Sequence, residues 1–321
     1  MSKKLHVAIG LIIAVGALYW AFHGVDFAQL GYEIARVDHE WLPPALACFF
    51  IAAVFRAERW RLLLLPLRSL QRWRVLRYVC IGYAANDVLP ARAGELLRPI
   101  LMRRHEDMPA LPVLSSIALE KVMDVGSILV IASVALAITP AIAPDGLQPV
   151  LQVGGLVFVP LLVMVIFASV RFGHRLEPLA KRINLLDRVS TGLRALRRVD
   201  LTAYSFLAGT VAWVLELGMY YCVARSFDLP VDLGVLAVLL VVVNLGTLIP
   251  SSPGYVGTFE ALSILVLAPF VGKDLAMAYT LVLHALLNIP IIVVGGLWWL
   301  QIEILARKKA LVSYSRECHP L

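Results

Sequence analysis

Residues 86–98 read Asn-Asp-Val-Leu-Pro-Ala-Arg-Ala-Gly-Glu-Leu-Leu-Arg, and residues 244–260 read Asn-Leu-Gly-Thr-Leu-Ile-Pro-Ser-Ser-Pro-Gly-Tyr-Val-Gly-Thr-Phe-Glu. Each interrupts a long apolar stretch, 79–98 in the first case and 234–271 in the second. Proline removes a backbone donor and glycine admits turns closed to other residues, so neither stretch can be one straight helix. The breaks are Pro90 and Gly94 in the first, and Pro250, Pro253, Gly254 and Gly257 in the second. An interrupted backbone is tolerated at membrane depth only where it is buried in protein or lines a polar cavity. The two stretches are therefore expected to be broken or re-entrant hairpins whose ends meet.

The rest of the chain supplies the membrane setting. Of its 321 residues 60% are hydrophobic and 16% charged, and the mean hydropathy is +0.82. A soluble domain carries about 25% charged residues. A soluble enzyme, a disordered chain, a coiled coil and a disulfide scaffold are all excluded. A crossing helix needs about 20 apolar residues. Such runs occupy 5–22, 42–58, 112–138, 149–170, 201–224 and 276–304. The expected fold is an all-α polytopic membrane protein with about six full transmembrane helices and two broken hairpins, eight apolar segments forming a single domain over 1–321. The first run could be a signal peptide, but its length and lack of a small-residue cleavage pattern favour an uncleaved anchor. The four cysteines, 48, 80, 222 and 318, have neither metal nor disulfide spacing.

Charge sets the orientation. Of the 29 Lys and Arg residues, 25 lie in the N-terminus, 56–77, 92–104, 171–200 and the C-terminal tail. The remaining connections hold Arg36, Arg225 and Lys273 among eight acids. By the positive-inside rule both termini are cytoplasmic, in the inner membrane. The formal charge of +7 is then a topological signal, and no nucleic acid is expected as partner. Residues 171–200 carry leucines at helical spacing between basic residues, as an amphipathic helix on the cytoplasmic leaflet would. Residues 66–77 are open to the same reading, and a plain basic loop accounts for either.

Asn244 follows Asn86 by half the chain's length, and the two halves, approximately 1–140 and 149–305, match element for element with opposite orientation. That is the pattern of an inverted-topology repeat, with broken helices meeting near the midplane. Two full spans in place of the second hairpin remain an alternative that leaves the termini where they are.

Ionisable groups at membrane depth usually face a cavity or a partner. Arg92 and Arg98 flank Glu95 in the first break, and a guanidinium matches two phosphate oxygens. With Asn86, Asn244, Ser251 and Ser252 they are the candidates for holding a lipid headgroup. A structural Arg–Glu pair is the plainer account. Ser116, Glu120 and Asp124 share a helix face at i, i+4 spacing, so the carboxylates should be protonated or paired, the break arginines being the favoured partners. His284 and Asn288 repeat that spacing. Asp87, Glu95, Glu120, Asp124, Glu216, Glu260 and His284 are the candidates for charge balance or proton coupling. No metal or other cofactor is expected, since no His or Cys cluster completes a site.

The run Arg56-Ala-Glu-Arg-Trp-Arg-Leu-Leu-Leu, the stretch 86–98, Glu120-Lys-Val-Met-Asp124 and 250–260 together resemble the lysylphosphatidylglycerol synthase transmembrane-region, or flippase-like domain, family. The likeness spans nearly the whole chain in the right order. It implies movement of lipids between leaflets, with aminoacylated phosphatidylglycerol, glycolipid and hopanoid contexts among relatives. The full synthase carries a soluble aminoacyl-transferase domain after its membrane part, whereas here about 17 residues follow the last span. Synthase chemistry is therefore not expected. Ala91 or Ala93 stands where the family often has glycine. The expected function is translocation of a phosphate-bearing lipid or lipid-linked precursor, anionic or of polyprenyl or hopanoid type. The alternatives are a membrane-embedded lipid-dependent glycosyl- or acyl-transferase, and a non-catalytic partner of a lipid-modifying enzyme. No Walker-type nucleotide motif is present, so ion coupling or downhill movement is expected.

Overall fold

The computed structural model describes residues 16–89, 93–138, 189, 191–246 and 252–318. Among these the regular structure is entirely helical. Residues 16–22 are helical and lead to α1 (Phe27–Ala35), capped by Asp26, whose carboxylate accepts from the Ala28 and Gln29 amides. Then follow α2 (Leu42–Leu64), α3 (Arg72–Val88), α4 (Ala93–Glu106), α5 (Ala110–Ile138), α6 (Val199–Ser226), α7 (Leu233–Gly246), α8 (Thr258–Val271) and α9 (Lys273–Cys318).

Four helical stretches are long and apolar enough to cross a membrane: His39–Leu64, Val199–Ser226, Pro253–Val271 and Lys273–Leu305. α5 adds 29 residues and carries Glu120, Lys121 and Asp124 within its length. Large apolar side chains such as Ile51, Leu207, Ile289, Leu297 and Leu300 are exposed, as helices facing lipid require. The expected all-α membrane class is what the chain adopts. Residues 1–15 and most of 149–200, including the span 149–170, lie outside the described residues.

Both interrupted stretches fold as pairs of short helices. α7 has 14 residues, about 21 Å at 1.5 Å per residue against a hydrocarbon core of about 30 Å, and α8 has 14, which the turn at Pro253–Tyr255 extends to membrane length. In the first pair α3 has 17 residues and α4 has 14. The α3–α4 contact is very close: a Cβ added at Gly94 would lie 1.9 Å from the Gly82 carbonyl oxygen. The second break is the 3-10 turn Pro253–Tyr255, where Gly254 has φ +63°. The breaks meet, since a Cβ on Gly254 would lie 3.3 Å from the Asp87 carbonyl oxygen.

The remaining helices hold this pair of breaks. α2 and α6 pack along their length, with Gly209 of α6 against Arg59 and Gly218 against Cys48. α7 is buried almost throughout, Val235 to Val241 without interruption. α9 lies against α3, with Cys80 and Ala84 pressed on Gly295.

Two expectations need correction. The span read as 42–58 continues to Leu64, so Arg56 and Arg59 are not in a cytoplasmic loop but buried in the core. Leu62 to Leu65 extend the apolar face beyond the arginines, and those charges find partners inside. Residues 72–77 are not a surface helix either, because they begin α3 and bury Val75 and Leu76. At the end of the basic loop, Arg194–Arg197 form a 3-10 turn whose Ala195 and Leu196 pack on Leu63, Leu119 and Met123, while 171–188, most of the expected amphipathic helix, lies outside the described residues.

Candidate functional site

Three arginines and three carboxylates form the polar centre of the bundle. Arg59 of α2 is completely buried. Its guanidinium donates to Glu120 at 2.8 Å and to both oxygens of Asp124, Oδ2 at 3.3 Å. Arg98 of α4 donates to the other Glu120 oxygen at 3.1 Å. Arg56 donates to Glu216 of α6. Buried charges persist only when paired and hydrogen-bonded, and here the signs balance. Trp213 donates its indole N–H to Asp124 at 2.7 Å, and Trp60 donates to Ser116 at 3.1 Å.

Aromatic faces complete the enclosure. The Arg98 guanidinium lies 4.7 Å from the Trp60 ring centroid and 5.9 Å from that of Tyr83. Arg56 lies 5.0 Å from Trp213 and 6.0 Å from Tyr83. A guanidinium is weakly hydrated and stacks on rings, so arginine is the cation suited to this depth. The close fit is fixed by glycines: a Cβ at Gly209 would lie 3.0 Å from Arg59 Cδ, and one at Gly82 would lie 2.7 Å from Arg98 Cγ.

Beside this cluster a cavity of about 210 Å³ opens where the two breaks meet. Arg56, Glu216 and Asp124 face it from the cluster, and Lys121 and Glu95 face it as a pair 3.3 Å apart. Asn86 and Asp87 reach it from the first break, Asn244 from the end of α7, and His284 and Asn288 from α9. Asn86 Oδ1 is buried and has no hydrogen-bond donor among the described residues.

The second break is held by hydrogen bonds. His284 Nδ1 is 2.5 Å from Glu260 Oε1, and Nε2 is 2.8 Å from the Gly254 carbonyl oxygen. Glu260 Oε2 accepts the Gly257 amide at 2.6 Å, capping α8. His284 stacks on Phe259 with centroids 4.2 Å apart, and Asn288 Nδ2 donates to the same Gly254 oxygen at 3.4 Å.

The sequence that builds this site matches one family over most of the chain. The sequence profile of the lysylphosphatidylglycerol synthase TM region fits residues 7–295. The chain belongs to this family. No curated protein matches it. The lysylphosphatidylglycerol synthase TM region takes in both breaks and every residue of the cluster, from Arg56 to His284.

The residues singled out from sequence fall into three groups. Asn86, Asp87, Glu95, Asp124, Glu216, Asn244 and His284 line the cavity together. Arg98, Glu120 and Glu260 are buried behind it, Arg98 and Glu120 as an ion pair and Glu260 as the partner of His284. Ser252 donates its hydroxyl to the Val256 carbonyl within the break. Pro90, Arg92, Pro250 and Ser251 lie outside the described residues. Arg56 and Arg59 were not among the sequence candidates. Their signal was present: two arginines three positions apart in a helix whose apolar face continues on both sides.

Proposed function

We propose that the protein moves a phosphate-bearing lipid, or a lipid-linked precursor, between the leaflets of the cytoplasmic membrane. The observation that carries this reading is the polar cavity at the meeting point of two broken helices, inside a bundle whose outer surface is apolar. The two breaks belong to inverted half-repeats, and movement of one half against the other presents the cavity to each leaflet in turn.

A phosphate in the cavity would compete with Glu216 for Arg56 and with Glu95 for Lys121. Asn86 and Asn244 add neutral contacts, and Arg92, by sequence in the first break, adds a further cation. Arg59 and Arg98 act differently: held by Glu120 and Asp124, they keep the cavity wall charged and fixed. Lipid movement of this kind needs no bond to form or break, so the reading is of a transporter and not of an enzyme. Both termini face the cytoplasm, where a lipid-modifying enzyme could deliver its product.

Reconstitution into vesicles containing headgroup-labelled phosphatidylglycerol tests the reading. The double variant Arg56→Gln/Glu216→Gln removes one cavity cation and its partner together, leaving no unpaired charge. Lipid movement should slow by roughly tenfold to a hundredfold, the worth of a charge-assisted hydrogen bond. Movement at the intact protein's rate would overturn the role given to Arg56. Formation of a new lipid product by the purified protein would overturn the transport reading.

A further inference from the structure

The Glu260–His284 pair joins α8 and α9, contacts the turn at Gly254 and has a defined proton content. Nε2 of His284 faces a carbonyl oxygen, which can only accept, so Nε2 must carry hydrogen. At 2.5 Å, Nδ1 and Glu260 Oε1 must share a second hydrogen, whichever atom bears it. The other Glu260 oxygen is already occupied by the Gly257 amide. The pair therefore shares one proton, which joins α9 to α8, while the Nε2 hydrogen of His284 joins α9 to the turn at Gly254.

Loss of the proton leaves a carboxylate oxygen facing the Nδ1 lone pair at contact distance. Two acceptors repel, and the His284 ring, whose Nε2 hydrogen still holds the Gly254 carbonyl, moves away from Glu260 by pulling on the turn. The turn is poised for this: Gly254, Tyr255 and Gly257 all have positive φ, at +63°, +59° and +89°. Gly254 is also the point at which the second break touches the first, at Asp87.

We propose that Glu260 and His284 form a proton-operated latch on the second break: protonated, the latch holds the two breaks together, and deprotonated, it frees the turn and opens the cavity on that side. This rests on the transport reading above and supplies its coupling ion. The proton lost goes to water in the cavity, which His284 lines. Asp87 of α3 lines the same cavity and carries no ion pair among the described residues. The other charged groups facing the cavity are already paired, Arg56 with Glu216 from α2 and α6, Lys121 with Glu95 from α5 and α4, and Asp124 with Arg59. On that side of the cavity the Glu260–His284 proton and the Asp87 carboxyl are thus the charges free to change, and the Glu260 and His284 variants tell them apart.

The latch is tested without transport by the reactivity of a cysteine introduced at the turn, Ser252→Cys, in a background with the native cysteines replaced by alanine. Labelling by a maleimide is followed from acid to alkaline pH and normalised to the unfolded protein at each pH. The intact pair should give slow labelling at low pH and labelling at least tenfold faster once the proton is lost. Two variants move in opposite directions. Glu260→Gln donates its amide hydrogen to Nδ1 permanently, so labelling stays slow at every pH. His284→Ala removes the latch, so labelling is fast at every pH. A normalised rate indifferent to pH in the intact pair, or the same response in both variants, overturns the proposal. In vesicles, lipid movement that responds to an imposed pH gradient in the intact protein and not in Glu260→Gln supports it. Movement without pH response sinks the latch and leaves the transport reading standing. Absence of movement under every gradient, with pH-dependent labelling retained, sinks the transport reading and leaves the latch.

Discussion

The two broken hairpins solve the same backbone problem with different chemistry. The first, α3 and α4, is held by charge and by backbone contact: Arg98 reaches Glu120, Lys121 reaches Glu95, and Gly94 lies against the Gly82 carbonyl. The second, α7 and α8, is aliphatic along α7 and held at its break by Glu260, His284 and Gly254. An ion-pair cluster spanning α2, α4 and α5 has no single bond whose loss frees it, whereas the second break is held by hydrogen bonds, among them the shared proton on which the proposed latch turns. The difference assigns the first hairpin to the fixed wall of the cavity and the second to the part that can move.

The comparison breaks most easily at Glu120, which serves two buried arginines. Glu120→Ala leaves Arg59 and Arg98 short of partners and should destabilise the protein by about 3–5 kcal/mol, the cost of uncovering a buried charge. Glu260→Ala loses a cap and a histidine partner but strands no buried arginine, and should cost about 1–3 kcal/mol. Thermal unfolding in detergent measures both. Equal losses would mean the two hairpins are held alike.

Steric contact gives the next contrast. At Gly94 a methyl group meets a backbone carbonyl at 1.9 Å, whereas at Gly246 it meets Leu262 Cδ1 at 2.0 Å, the end of a flexible side chain. Gly94→Ala should cost about 1–3 kcal/mol and Gly246→Ala less, because only the second neighbour can rotate away. A larger loss at Gly246, read from the same unfolding curves, would reverse the assignment of rigid and yielding hairpins.

The smallest effect is expected at the rim. Arg104 pairs with Glu303 at 2.8 Å, but Arg104 is more than half exposed. Arg104→Ala should change stability by about 0–1 kcal/mol. A large loss there would show that surface charge, and not the buried cluster, holds α4 against α9.

Much of this was legible in the sequence. The breaks announced themselves because proline and glycine cannot continue a helix, and Asn86, Asp87, Glu95, Asn244 and His284 followed because ionisable or polar groups in an apolar stretch need a cavity. The pairing of Glu120 with Arg98 was also expected from the i, i+4 carboxylates. Arg56 and Arg59 escaped because the positive-inside rule assigns clustered arginines to the cytoplasm. Only the fold shows that these two turn inward to meet Glu216, Asp124 and Glu120 while Arg61 pairs locally with Glu58. The bond from His284 to the Gly254 carbonyl was equally hidden, since a backbone acceptor 30 positions away leaves no mark in composition or spacing.

The central claim is that lipid passes through the cavity between the breaks, and filling that cavity tests it most directly. Asn244→Trp places an indole inside it, while Leu297→Trp adds the same bulk on the exposed face of α9. Both are reconstituted with headgroup-labelled phosphatidylglycerol, and the fraction of label reaching the opposite leaflet is followed in time. The account predicts that Asn244→Trp falls to the rate of protein-free vesicles while Leu297→Trp moves lipid like the intact protein. Lipid movement undiminished in Asn244→Trp would contradict it.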